Sequence, residues 1–251
     1  MAEGMTDPPP VRGLDVLTTL VDFAIVHWEI DARKLDKHLP PGFKATEFPM
    51  ADGGSRPVIG AVVFRDTGFR FAALPFLRFS MGQTNYRSYV QHDGEEVAWF
   101  FGTSLTGPSV VMPRLLWKLP WEPARMKFRC TWDGDRLQRY DVTTRSRWAP
   151  FRIVAHGTGR RMPAVGLPGD EARHARVLTH PTKGFFRRRD GRVGTYSIWR
   201  GPLDLELAEV ETCSFGLYER LGLIAPGQAP LHVLVQRAVD FRIYLPPRLA
   251  S

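Results

Sequence analysis

The stretch NYRSYVQHDGEEVAWFF, which runs from Asn85 to Phe101, predicts two β-strands joined by an Asp-Gly turn. Chemistry in the first strand alternates at period two, so Asn85, Arg87 and Tyr89 share one face. If that face meets solvent, it is an ordinary polar strand face. If it faces a barrel interior, an amide, a guanidinium and a phenol form a polar floor for a small anionic or carbonyl-bearing molecule.

Two more Asp-Gly pairs, Asp133-Gly134 and Asp190-Gly191, lie between strand-like segments and predict further antiparallel hairpins. Strands are predicted throughout the chain, whereas helices are predicted only at 31–39, at 113–119 with Pro113 in the first helical position, and at 215–221. The main predicted strands are 17–30, 58–64, 69–79, 126–132, 137–147, 184–188, 192–200, 205–214 and 232–244. A Pro- and Gly-containing segment, 160–176, predicts a loop. This pattern indicates a mostly β fold with few short helices, an antiparallel barrel or sandwich.

Composition narrows the classes of partner. The chain has 251 residues, of which 43% are hydrophobic, and 34 Lys and Arg against 26 Asp and Glu give a net charge of +8. The positive charge is scattered, and the one dense run, Arg187 to Arg189, adjoins a predicted hairpin tip. No basic motif with interleaved aromatic residues is present, so we do not expect a nucleic-acid partner.

Ligand patterns for metals are also missing from the sequence. The two cysteines, Cys130 and Cys213, are far apart, and the seven histidines form no recognisable ligand set, so we expect neither a metal nor a cofactor. His27, which lies in an apolar strand, is interpreted as a hydrogen-bonded core histidine. The most apolar segment, 16–30, is too short and too charged to span a bilayer. We therefore expect a cytoplasmic protein with a flexible tail over 1–13 and a single domain over 14–251.

A second chemistry-bearing segment covers residues 112–124. Lys118 lies among apolar and aromatic residues there, a setting that could desolvate an amine and lower its pKa for Schiff-base formation. A lysine in such a setting more often lays its stem along apolar surface and keeps its amine in water. Arg114 lies four residues earlier in the same segment.

These segments together resemble the YqjF-like domain-of-unknown-function family, which is placed in the acetoacetate decarboxylase-like superfamily. The resemblance covers about residues 16–245 and is most specific in the first half. It rests on Asn85-x-Arg87-x-Tyr89-Val90, Trp99-Phe100-Phe101-x-x-Ser104-Leu105, Arg114 and Leu119-Pro120-Trp121-x-x-Ala124. It implies a large, twisted antiparallel β-barrel or cone that encloses a pocket.

The same resemblance argues against the usual superfamily chemistry. Acetoacetate decarboxylases carry a Pro-Lys-Lys sequence whose first lysine forms the Schiff base. The matching segment here is Pro120-Trp121-Glu122, so both lysines are absent, and Lys118 precedes the proline. A shared fold does not restore a shared reaction.

We therefore interpret the chain as a small-molecule-binding β-barrel protein of this superfamily without Schiff-base decarboxylase activity. Its ligand is expected to be a small organic molecule such as a carboxylate or β-dicarbonyl. We expect no membrane partner, and the sequence is compatible with an oligomer. Asn85, Arg87 and Tyr89 would line or buttress the interior, with Arg114 and Lys118 near its mouth. Two alternatives stay open: a lyase- or hydratase-like enzyme, and a non-catalytic structural or interaction protein in which the polar side chains are hydrogen-bonding struts.

Overall fold

The computed structural model describes residues 8–107, 110–162, 170–201 and 203–250. Within these ranges most residues lie in strands that join one large, mainly antiparallel sheet. The elements in chain order are β1 Val16–Glu29, α1 Ala32–Asp36, β2 Lys44–Ala45, β3 Glu47–Pro49, β4 Ser55–Phe71, β5 Phe79–His92, β6 Glu95–Leu105, α2 Val111–Leu116, β7 Trp121–Pro123, β8 Arg125–Asp133, β9 Arg136–Arg145, β10 Phe151–Arg161, α3 Asp170–Thr179, β11 Lys183–Arg187, β12 Val193–Arg200, β13 Glu206–Phe215, α4 Gly216–Arg220 and β14 His232–Leu249.

Seven of these strands close into a barrel in the order β1-β4-β5-β6-β11-β12-β14, with β14 pairing back onto β1. The 18-residue strand β14 is long enough to serve two partners besides β1. Its first residues pair with β13 and its last residues with β12. Through β13 the sheet continues into β10, β9 and β8, which form an extension outside the barrel. The β-barrel predicted from the hairpins and the resemblance is confirmed.

The three Asp-Gly pairs lie at hairpin tips, as predicted. They connect β5 to β6, β8 to β9 and β11 to β12, and Gly94, Gly134 and Gly191 all have positive φ. A tight turn needs this backbone conformation, which glycine adopts without a steric penalty from Cβ. These local signals therefore fixed the strand pairing on each side of the turn.

The barrel and its extension are joined at a kink in β1. Asp22 has φ of 51° where the pairing of β1 with β4 shifts register. Its carboxylate accepts hydrogen bonds from Arg65 on β4 and from the indole of Trp132 on β8, the latter at 2.8 Å. Its backbone carbonyl accepts a bond from the hydroxyl of Tyr140 on β9 at 3.0 Å. One bulged residue thus ties both parts of the sheet together.

Helix α4 supports a second irregularity in the sheet, which lies in the pairing of β5 with β6. The pairing of β5 with β6 shifts register between Tyr86 and Arg87. The buried hydroxyl of Tyr218, on α4, accepts a hydrogen bond from the Arg87 backbone N–H at 3.1 Å and donates to the Gly60 carbonyl at 2.7 Å. These bonds satisfy backbone groups of β4 and β5 in the interior, where unpaired groups are costly.

Four sequence predictions need correction or fall outside the described ranges. Residues 69–79 do not form one strand, because Phe69 and Phe79 pair with each other across a turn between β4 and β5. The predicted loop 160–176 includes the end of β10 and most of α3, while 163–169 lie outside the described residues. Pro113 is the third residue of α2, which begins at Val111. Of the predicted flexible tail, 1–7 lie outside the described residues, and the Pro9 carbonyl accepts a hydrogen bond from Tyr244.

None of the described helices is long and apolar enough to cross a membrane. The single domain over 14–251 stays a prediction.

Candidate binding site in the barrel interior

The barrel encloses a cavity of about 70 Å³ whose wall is mainly apolar and aromatic. Six of the seven barrel strands contribute to it, and Leu119 and Trp121 close one side. The polar side chains that line it are Asp66, Gln83, Asn85, Arg87, Thr103, Tyr196 and Arg200. An apolar wall with a few polar groups matches small-molecule sites in composition, but the volume is well below the roughly 300–1,000 Å³ of typical sites.

Strand β5 places Gln83, Asn85 and Arg87 on the cavity wall at every second residue. The inward face predicted for Asn85 and Arg87 is therefore found. The side-chain carbonyl of Asn85 accepts hydrogen bonds from the Gln83 amide and the Thr103 hydroxyl, both at 2.9 Å. These two bonds fix the orientation of the Asn85 amide, whose nitrogen side is left for other partners.

Arg87 is buried and makes its hydrogen bonds away from any carboxylate. Its Nε and Nη2 donate to the Tyr89 hydroxyl at 3.2 and 3.0 Å, and Nη2 also donates to the Leu178 carbonyl at 3.0 Å. Leu178 lies in the last turn of α3, where carbonyls lack helical partners and the helix dipole is negative. A guanidinium at this helix end is therefore stabilised without a counter-ion, and only Nη1 remains to face a ligand.

Tyr89 lies behind Arg87 and does not line the cavity. Its fully buried hydroxyl donates to the Leu178 carbonyl at 2.7 Å and lies 2.6 Å from Nε2 of His27. Burial raises the pKa of Tyr89, so the phenol is neutral at physiological pH. Tyr89 thus buttresses Arg87, one of the two roles expected for it, and His27 is the hydrogen-bonded core histidine that the sequence predicted.

Arg200, at the end of β12, was not predicted as a site residue. It is 7% exposed and lines the cavity, and its Nε and Nη2 have no hydrogen-bond partner among the residues that the structure describes. Burial, with the charge of Arg87 as a second cause, lowers the pKa of Arg200 to about 9. Among the described residues, neither arginine forms an ion pair. The described part of the interior therefore carries two guanidinium groups that are not paired with a carboxylate.

His180 lies within electrostatic reach of the same two arginines. Its pKa is lowered to about 3 by burial and by the charges of Arg200 and Arg87, so the ring is neutral. Nδ1 of His180 lies 2.7 Å from the Thr179 hydroxyl, which itself donates to the Ala175 carbonyl. Nδ1 must then carry the ring proton, and Nε2, which has no partner, is an acceptor. His180 adds no positive charge to this end of the barrel.

Among the described residues, Asp66 is the one carboxylate on the cavity wall, and its hydrogen-bond partner is a threonine and not an arginine. It is 2% exposed and accepts a hydrogen bond from the Thr18 hydroxyl at 3.1 Å, while its other oxygen has no partner. Burial raises the pKa of Asp66 to about 7. A carboxyl group that is substantially protonated at neutral pH does not supply a full counter-charge for the arginines.

Arg114 and Lys118 lie in a different place from the other predicted site residues. Both line a groove on the outer surface between α2 and the β11–β12 hairpin. Arg114 contacts Glu122 at 3.4 Å, and Lys118 is exposed with φ of 54°. From the same segment, Leu119 and Trp121 reach the cavity instead. The structure therefore does not bring Arg114 and Lys118 together with Asn85 and Arg87.

We predict that acetoacetate forms no iminium with this protein, because no lysine lines the described part of the cavity wall. Treatment with acetoacetate and borohydride, followed by peptide mapping, should leave Lys118 unmodified, and carbon dioxide release should stay at background. A surface lysine such as Lys127 serves as the control for unspecific labelling. A reduced adduct on Lys118 together with carbon dioxide release would contradict this prediction.

The described residues contain no group of three or more His, Cys, Asp or Glu side chains that could hold a metal ion. Two of the polar groups on the cavity wall, the guanidinium groups of Arg87 and Arg200, can only donate hydrogen bonds and suit an anion or a carbonyl. Nε and Nη2 lie on one edge of the Arg200 guanidinium, and this edge matches the two oxygens of a carboxylate.

Comparison with known proteins gives the context of this site. The model of the DUF2071 family, described as an uncharacterized conserved protein (COG2071), matches residues 18–240. A search of the curated proteins found no match.

Among solved structures, an acetoacetate decarboxylase-like enzyme from Sphingomonas wittichii RW1 superposes with a TM-score of 0.66 at 14% identity, over 100% of this chain and 99% of that one. The enduracididine biosynthesis enzyme MppR, complexed with pyruvate, gives 0.64 at 15% identity, over 99% and 93%. Acetoacetate decarboxylase from Legionella pneumophila gives 0.61 at 13% identity, over 100% and 94%. At such identities the likeness shows the fold alone.

Proposed function

This chain belongs to the DUF2071 family, and from the chemistry of its barrel interior we propose that it binds a small carboxylate between Arg200 and Arg87. The observation that carries the proposal is the Nε and Nη2 edge of Arg200, which is buried and has no hydrogen-bond partner in the described part of the chain. A buried donor without a partner costs about 1–3 kcal/mol, and more when it is charged. A carboxylate on this edge would satisfy both donors and neutralise the charge.

Arg87 would add a second contact from its free nitrogen. Because its Nε and Nη2 are already bonded to Tyr89 and Leu178, only Nη1 is left to donate. Asn85, held by Gln83 and Thr103, would present its amide nitrogen to a carbonyl or hydroxyl oxygen of the same ligand. The two cations and one amide together favour an anion that carries a second oxygen group.

The size of the cavity limits the ligand. About 70 Å³ has room for on the order of five water molecules, since one water needs roughly 10–15 Å³. A carboxylate as small as pyruvate is compatible with this volume, whereas a cofactor-sized molecule is not. Pyruvate is also the ligand in the MppR complex, which makes it the first compound to test.

Isothermal titration calorimetry tests the proposal with pyruvate as titrant and methyl pyruvate as the neutral control of similar shape. We expect saturable binding of pyruvate at one site per chain, and much weaker binding of methyl pyruvate, which lacks the carboxylate. Arg129→Gln, an exposed arginine on β8, should bind pyruvate like the parent protein. A native mass spectrum of the purified protein should show whether a small acid is already bound.

Failure of pyruvate, acetate and lactate to bind, with no small acid in the native mass spectrum, would contradict the proposal. The polar interior would then consist of hydrogen-bonding struts, the non-catalytic alternative. Equal binding of pyruvate and methyl pyruvate would show that the arginines do not select for charge.

Cytoplasmic localisation is part of the same proposal. It is supported by Cys130 and Cys213, which are free cysteines. Burial raises the pKa of each thiol to about 12, so both thiols stay protonated. Fractionation of cells that express a tagged chain checks this location.

A further inference from the structure

A continuous row of hydrogen bonds runs from His232, which is half-buried, to the cavity arginine Arg87. Nε2 of His232 lies 2.8 Å from Nδ1 of His27, and Nε2 of His27 lies 2.6 Å from the Tyr89 hydroxyl. The Tyr89 oxygen in turn accepts from Nε and Nη2 of Arg87. His27 and Tyr89 have no exposed surface and Arg87 is 3% exposed, so solvent does not compete for the hydrogen bonds among these three side chains.

The donor and the acceptor of each hydrogen bond in this row can be assigned by starting from the Leu178 carbonyl. The Leu178 carbonyl can only accept, so the single proton of the Tyr89 hydroxyl is committed to it at 2.7 Å. The short contact between Tyr89 and His27 then requires Nε2 of His27 to be the donor. Burial lowers the pKa of His27, so the ring is neutral and its Nδ1 must accept the proton of His232 Nε2. Donation therefore runs one way, from His232 through His27 and Tyr89 to the end of α3.

With these directions, the Tyr89 oxygen takes part in four hydrogen bonds. It accepts from His27 and from two nitrogens of Arg87 while it donates to Leu178. Three N–H groups that converge on one oxygen hold the guanidinium plane in a single orientation. That orientation turns Nη1, the remaining nitrogen of Arg87, away from Tyr89.

The imidazole of His27 and the phenol of Tyr89 pack directly against the backbone of Gly60 on β4. A Cβ built on Gly60 would lie 2.9 Å from Cδ2 of His27 and 3.1 Å from the Tyr89 hydroxyl. Only the absence of a side chain at residue 60 lets the imidazole and the phenol meet at this depth.

We propose that His232, His27 and Tyr89 form a one-way hydrogen-bond relay whose role is to position the Arg87 guanidinium for the carboxylate. The proposal deepens the carboxylate-binding function and rests on it for the ligand. The orientation of Arg87 and the tautomers of the histidines can be measured without any ligand, so the two proposals can fail separately.

Nitrogen NMR of labelled protein tests the relay in the ligand-free state. We expect His27 and His232 to be neutral, with the proton on Nε2 in both rings, and the Nε–H of Arg87 to exchange slowly with solvent. In Tyr89→Phe, which removes one oxygen and keeps the ring, Arg87 Nε–H exchange should become at least about ten-fold faster, because the acceptor is lost. A proton on Nδ1 of His27, or unchanged Arg87 exchange in Tyr89→Phe, would overturn the relay.

Variants of His27 separate positioning from packing. His27→Gln keeps a donor near the position of Nε2 and should retain pyruvate affinity within about two-fold, whereas His27→Phe fills the space without a donor and should weaken it by at least about five-fold. His38→Phe, at a half-buried histidine that contacts the Leu221 carbonyl, is the matched control and should bind like the parent. Equal affinities of His27→Gln and His27→Phe would contradict positioning.

If His27→Phe fails to fold, the Tyr89→Phe exchange measurement still decides the relay. If the parent protein binds no pyruvate, the carboxylate proposal fails, and the tautomers and the Arg87 exchange rate still decide whether the relay exists.

Discussion

Replacing Arg200 with methionine is expected to stabilise the ligand-free protein by about 1–3 kcal/mol and to weaken pyruvate binding by at least about ten-fold. The stabilisation is expected because Arg200 is buried beside a second cation, and its Nε and Nη2 have no partner in the fold. Methionine fills similar space with a flexible apolar chain and leaves no donor unpaired.

The opposite effect on binding has the same cause. If the unpaired edge of Arg200 is the carboxylate site, the variant loses both the charge and the two parallel donors. Pyruvate should then raise the melting temperature of the parent protein and have little effect on Arg200→Met, because a ligand stabilises only the state that binds it. Stability that increases while affinity falls is typical of groups retained for function.

Urea unfolding and calorimetry measure the two effects of the Arg200 substitution, and Arg129→Met is the control. Arg129 is on β8 with a side chain that is 63% exposed, so its replacement should change neither quantity by more than about 0.5 kcal/mol. A loss of stability in Arg200→Met would show that the fold itself satisfies this guanidinium.

The parts of the fold that could be predicted from sequence are those with local causes. Each Asp-Gly pair specifies a turn through the positive φ of its glycine, and the alternation of Asn85, Arg87 and Tyr89 specifies one face of β5. Neither signal depends on distant residues. The hairpins and the shared face of Asn85 and Arg87 were therefore accessible before the structure, whereas the burial of that face depends on barrel closure. The family match over 18–240 agrees with the resemblance seen in these segments.

Arg200 and Asp66 were missed because their burial depends on barrel closure. In sequence Arg200 is an arginine before a Gly-Pro pair at a strand end, a common setting for an exposed residue. It faces the cavity because β12 pairs with β14, and β14 pairs with β1. The one available signal was the alternation of Tyr196, Ile198 and Arg200, which continues the inward face of β12.

Helix α3 was missed for a different reason. The glycines and prolines that predicted a loop precede it, and its polar residues outnumber the apolar ones. Its buried apolar side chains are Ala175, Val177 and Leu178. Val177 and Leu178 join the hydrophobic cluster that contains Phe48 and Tyr89. The contribution of α3 to the site is a backbone carbonyl, the Leu178 oxygen, and no side-chain pattern could reveal that group.

Replacing Arg87 with alanine is expected to lower the free energy of unfolding by about 2–4 kcal/mol, the opposite sign from Arg200→Met. The two arginines differ in their partners: Arg87 donates to Tyr89 and to the Leu178 carbonyl at the end of α3, whereas the Nε and Nη2 of Arg200 donate to nothing. Alanine removes these bonds and the cation at the helix C-terminus, and it leaves a void between β5 and α3.

Relief of repulsion with Arg200 would offset part of this loss, because the charge of Arg87 is one cause of the lowered pKa of Arg200. The loss of stability should still exceed the gain from relieved repulsion. The substitution removes three hydrogen bonds together with the packing contacts of the long arginine side chain. Urea unfolding of Arg87→Ala against Arg129→Ala measures the difference. An unchanged midpoint in Arg87→Ala would mean that the helix end and Tyr89 do not hold the guanidinium, and Arg87 would then have to be assigned, like Arg200, to the ligand alone.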